Sequence, residues 1–72
     1  MKVVMRIPLE LSRALFSKTD SGTAEYESLA NGLIQGEHLV LHCDDRIATE
    51  LVSWAAGQVA GANKQIKVLQ EV

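Results

Sequence analysis

The sequence predicts an α/β (α+β) two-layer sandwich, a small mixed sheet of about three strands with two or three helices in the order β-α-α-β-α-β. Three observations support this. Lys2 to Ile7 and His38 to Cys43 alternate between two sets of residues as half-buried strands do. An Asp-started stretch from Ile47 to Val59 carries apolar residues at helical spacing, and a looser alternation closes the chain after Gly61.

In strand one, Val3, Met5 and Ile7 form one side and Lys2, Val4 and Arg6 the other. Pro8 stops the strand and suits a first helical turn, where its missing N–H has no intrahelical partner to lose. Leu11, Ala14 and Leu15 then share a face of a short helix from Pro8 to about Lys18. Thr19-Asp20-Ser21-Gly22-Thr23 is a turn, and Tyr26, Leu29, Ala30, Leu33 and Ile34 recur at helical spacing behind it. They predict a second helix, capped by Thr23, favoured by Glu25 and Glu27 in its first turn and ended by Gly36. A competing reading makes Thr23 to Glu27 a strand, and Gly32 weakens the helix by roughly 1 kcal/mol relative to Ala.

In the central strand, Leu39, Leu41 and Cys43 point one way and His38, Val40 and His42 the other. Asp44 or Asp45 is placed to cap the next helix by accepting N–H bonds. Ile47, Leu51, Trp54, Ala55 and Gln58 form its stripe, and Gly61 with Asn63 ends it. Gln65 to Val72 closes the sheet around Ile66, Val68 and Val72, with a right-handed crossover laying this strand parallel to its predecessor. Residues 1–72 read as one domain without repeat or linker.

With 72 residues, the chain belongs to a size class that buries only about 60–65% of its unfolded surface, so help from a partner matters. A single cysteine, Cys43, rules out an intramolecular disulfide and favours a reducing, cytoplasmic setting. No apolar run reaches the roughly 20 residues that span a bilayer, so no membrane partner is expected. Seven Lys/Arg stand against nine Asp/Glu, and the basic residues are scattered singly, which disfavours nucleic acid. Phe16, Tyr26 and Trp54 are too dispersed for base stacking.

The densest group of reactive side chains is His38 to Asp45. Residues four apart on a strand are separated by roughly 13 Å, so His38 and His42 cannot share an ion, and Cys43 faces away from His42. His42 with Asp44 could form only a partial site, and the plainer reading is a half-exposed sheet face beside a helix cap. No metal or other cofactor is expected. Cys43 lies ahead of a helix N-terminus, which lowers a thiol pKa, yet it shares the apolar face with Leu39 and Leu41, and Asp44 and Asp45 oppose a thiolate. No serine sits in a nucleophile-elbow context, so no catalytic residue is assigned. Gly57 and Gly61 have the spacing of close helix packing or of a helix end.

Gly36-Glu37-His38-Leu39-Val40-Leu41, then Asp44-Asp45 and Leu51-Val52-Ser53-Trp54-Ala55, resembles the small sulfur-carrier family typified by TusA and SirA. The resemblance covers roughly half the chain and implies a two-layer α/β fold. Pro8 matches the first proline of that family's Cys-Pro-x-Pro motif, while Ile7 stands in place of its persulfide-carrying cysteine and Glu10 in place of its second proline. The family's activity therefore does not carry over through that motif.

The function expected is a non-enzymatic regulatory or accessory module that binds another protein or itself, as a homodimer at an open sheet edge. Trp54, Val4 and Leu69 are its candidate interface residues. The alternative is a TusA-like sulfur or thiol carrier in which Cys43 has the reactive role.

Overall fold

A computed structural model describes residues 1–70. Its elements are β1 (Lys2–Pro8), α1 (Leu9–Phe16), α2 (Ala24–Ala30), β2 (Leu33–Gln35), β3 (His38–Asp44), α3 (Asp45–Gln58), α4 (Ala62–Gln65) and β4 (Lys67–Gln70). The α/β class holds, with a sheet of four strands rather than three, in the order β2-β3-β1-β4. Every neighbouring pair is antiparallel, so the sheet is not mixed. β4 does run in the same direction as β3, as the crossover requires, but β1 lies between them. This is the β-α-β-β-α-β order of the split β-α-β arrangement, with an additional short helix in each crossover.

Period-two patterning decides which side of the sheet is covered. Val3, Met5 and Ile7 of β1 lie opposite Cys43, Leu41 and Leu39 of β3. Except for the half-buried Cys43, they are buried with Leu11 and Leu15 of α1, Leu29 of α2 and Ala48, Leu51 and Ala55 of α3 in one core. Both crossovers thus pack on the same face. Phe16 and Tyr26 tie α1 to α2, with ring centroids 4.9 Å apart.

The second helix differs from the expectation over Leu33, Ile34 and Gly36. Thr23 does cap it, its Oγ1 accepting from the Tyr26 N–H at 3.2 Å, but the helix stops at Ala30. A Cβ on Gly32 would meet Leu41 Cδ2 at 2.7 Å and Leu39 Cγ at 2.8 Å, so the chain passes β3 where only glycine fits. Leu33, Ile34 and Gln35 then pair with Val40, Leu39 and His38 as β2. Gly36, expected to end a helix, begins the two-residue hairpin loop with φ +63°, and no described non-glycine residue has positive φ, which fits a type II′ turn.

The third helix ends at Gln58, before Gly61, and Gly61 with φ +80° instead starts the short α4. A side-chain carbon placed on Gly57 would meet nothing within 4 Å, so the two glycines mark a helix end and a turn, not a packing seam. Asp44 occupies the N-cap position of α3 without a side-chain cap bond; its carboxylate lies 3.4 Å from the Met1 ammonium. Ile66 is buried just ahead of β4, Gln65 belongs to α4, and Val72 lies outside the described residues.

Gly32→Ala is expected to cost about 1–3 kcal/mol by overpacking. Gly57→Ala, in open space within α3, is expected to stabilise by up to about 1 kcal/mol. Urea denaturation of the two variants beside the parent checks both signs. Met5→Ala, at a fully buried side chain of β1, is expected to cost about 2–5 kcal/mol in the same measurement.

Candidate functional site

The sheet face opposite the helices is the first candidate. Pairing and alternation place Lys2, Val4 and Arg6 of β1, His38, Val40, His42 and Asp44 of β3, Leu33 and Gln35 of β2, and Lys67 and Leu69 of β4 on it. One row across the strands reads Leu33, Val40, Arg6, Lys67, and the next reads His42, Val4, Leu69. The apolar members form a diagonal stripe, Leu33-Val40-Val4-Leu69, from one sheet edge to the other. Val40 is 5% exposed, yet it is the buried hydrophobic residue outside the core cluster. Its neighbours on the open face shield it, while Leu33 and Leu69 at the edges are 61% and 53% exposed.

Val4 and Leu69 are direct cross-strand partners, so two of the residues expected at an interface come together. Trp54 does not join them: it is half-buried on α3, packed against the core on the opposite layer. The stripe was legible only in part, because Val40 and Leu33 gain their place from β2, which helical periodicity concealed.

The second candidate is a cleft of about 390 Å³ between α2, α3 and the end of β3. Leu41, Ile47 and Leu51 supply its apolar lining, Glu25, Glu27 and Glu50 its carboxylates, Lys2 and His42 its basic members, and Cys43 opens onto it. Helical spacing alone could not bring α2 to this place, since β2 is what returns the chain beside β3. The Cys43 thiol is half-buried, and its pKa is raised by burial and by the nearby Asp44 charge, with Lys2 partly opposing them. It therefore stays protonated further up the pH scale than a free thiol, despite preceding a helix N-terminus. Strand alternation turns the His42 side chain to the other face of the sheet from Cys43, although both residues border the cleft.

Metal chemistry finds no cluster either: among the described residues, no group of at least 3 His, Cys, Asp or Glu side chains could hold an ion. His38 and His42 lie on the same face, four positions apart along β3. Ser12, the buried polar side chain among the described residues, donates from Oγ to the Leu9 carbonyl at 2.7 Å, an internal helix bond and not a poised nucleophile. No described helix is long and apolar enough to cross a membrane. No protein-family model matches the chain, and comparison with curated proteins and with solved structures finds no match.

Alkylation of Cys43 by iodoacetamide in the folded protein is expected to be slow at neutral pH and to rise only above the pH at which a free cysteine ionises. Asp44→Asn removes one cause that raises the pKa, so the thiolate fraction and the neutral-pH rate should increase several-fold. An unchanged or slower rate in that variant would contradict the electrostatic account.

Proposed function

We infer that this chain is a non-enzymatic protein-interaction module that also self-associates. The observation that carries the reading is the one-sided packing of the sheet, which leaves the stripe Leu33-Val40-Val4-Leu69 facing outward and leaves β2 and β4 as open edges. A small antiparallel sheet tolerates one solvated face, but Leu33 and Leu69 at its two rims, with the half-buried Val4 beside Leu69, are apolar surface that a partner would remove from water, while Val40 is already covered by its neighbours. Each edge strand also presents N–H and C=O groups to a further strand. Of the two edges, β4 is the better site for a second copy: it has four residues against three in β2, and Leu69 continues the stripe to its rim. Antiparallel β4-to-β4 pairing would join two sheets into one and double the open face.

A thiol-carrier role for Cys43 requires a thiolate, and partial burial together with Asp44 works against forming one.

Sedimentation velocity across a concentration series should show a dimer that dissociates on dilution. Leu69→Lys should shift it to monomer with an unchanged far-UV circular dichroism spectrum, whereas Ile34→Lys, on the other edge, should leave the dimer intact. A monomer at every concentration would remove the self-association part of the reading.

A further inference from the structure

We propose that the open sheet face docks an acidic, partly apolar segment of another protein, its apolar residues meeting Leu33, Val4 and Leu69 and its carboxylates meeting the cross-strand pair Arg6 and Lys67. The proposal rests on the interaction-module reading and names the partner's chemistry. Its basis is a charge separation that the fold creates. Arg6 and Lys67 are far apart in sequence, but antiparallel pairing makes them direct cross-strand neighbours; Lys2 alternates to the same side of β1 and, at its end, also borders the cleft beside Cys43. The carboxylate on the strand positions of this face, Asp44, faces the Met1 ammonium at 3.4 Å. The helices and the turn between α1 and α2 carry Glu10, Asp20, Glu25, Glu27, Asp45 and Glu50 against Arg13, Lys18, Arg46 and Lys64, and Glu37 lies in the hairpin loop between β2 and β3. A chain of net charge −2 thus turns a basic face outward where its helices leave the sheet bare.

Two other occupants fit less well. A second copy laid face to face would set basic residues against basic residues over a small area. Strand spacings of about 4.8 Å and a rise of about 3.3 Å per residue give the four strands a face of roughly 330 Å², below the roughly 800 Å² per partner of a standard stable interface. Nucleic acid would meet the cations but no stacking surface, because Phe16, Tyr26 and Trp54 all belong to the helical layer. A protein segment with aliphatic residues and flanking carboxylates uses both the stripe and its border, and its charges would speed the encounter.

The test is selection from a random dodecapeptide display library on the full chain, followed by titration of the enriched peptides into isotopically labelled protein by amide NMR. Enriched sequences should be net acidic with interspersed apolar residues, and should move the amides of Val4, Arg6, Val40 and Lys67. The double variant R6E/K67E should weaken binding about tenfold or more, and added salt should weaken it too. R6Q/K67Q supplies the milder neutralisation should the reversal disturb folding, and an intermediate loss is expected from it. Neutral or basic peptides, shifts confined to the helices, indifference to both variants, or tighter binding of an oligothymidylate would each overturn the acidic-segment proposal. Neutral peptides that still map to the stripe would leave the interaction-module reading standing. No enrichment at all, from a chain that is also monomeric, would overturn both.

Discussion

The antiparallel ladder between β1 and β3 is the constraint on which the remaining structure depends. It runs from Lys2 opposite Asp44 to Pro8 opposite His38, and it fixes in one stroke which side chains face the helices. A slip of one residue would turn Met5 and Ile7 outward and bring Arg6 into the core, so register and burial specify each other. β2 and β4 are added to the two sides of this pair, and α1 and α3 lie across it. The backbone bond from the Leu9 N–H to the Glu37 carbonyl, 2.8 Å, ties the start of α1 to the hairpin and holds one end of the arrangement. At the other end the Asp45 N–H donates to the Met1 carbonyl at 2.9 Å, continuing the ladder into the first turn of α3.

From that ladder the division of labour between the two faces follows. Both crossovers pack on the side of Met5 and Leu41, so the helices together cover one face and carry most of the described carboxylates, Glu10, Glu25, Glu27, Asp45 and Glu50. The other face keeps Val40 dry with only its neighbours in the sheet. The cleft beside Cys43 exists because β2 is shorter than β3 and leaves the end of β3 without a neighbour on that side. Burial and Asp44 hold its thiol protonated, which disfavours anionic chemistry there, whereas the sheet face sets Arg6 beside Lys67. The molecule is therefore polarised across its thickness although its overall charge is small.

Much of the fold was legible in the sequence because local rules and tertiary packing agree there. Alternation located β1 and β3, Pro8 marked the strand-to-helix change, and the Thr23 cap was found in place; the helix α3 was found too, but its buried face is Ala48, Leu51 and Ala55, rotated from the expected stripe so that Ile47 and Gln58 are exposed and Trp54 is half-buried. The reading failed where two periodicities overlapped. Leu29, Ala30, Leu33 and Ile34 satisfy helical spacing, and only contact with β3 reveals that the backbone must pass close at Gly32 and then extend. That single change hid a strand, the hairpin at Gly36 and the diagonal stripe on the open face. The interface candidates Val4 and Leu69 were recognisable as outward-facing strand residues, while Trp54 satisfied the same apolar criterion yet packs on the other layer. The basic character of the sheet face had no linear signature, because residues at positions 2, 6 and 67 come to one face only through pairing.

The placement of β1 between β3 and β4 also carries a kinetic consequence. Both of its neighbours come later in the chain, so during vectorial synthesis Val3, Met5 and Ile7 must wait for His38 to Asp44, and the sheet closes only when Lys67 to Gln70 are free to pair. Apart from the local β2–β3 hairpin, the sheet's pairings thus arrive after a long loop has been closed, a pattern that slows folding and prolongs the time an apolar strand spends without partners. The early helices, with Thr23 at one N-terminus and the Phe16–Tyr26 contact between them, are the structure available to shelter that strand in the interval.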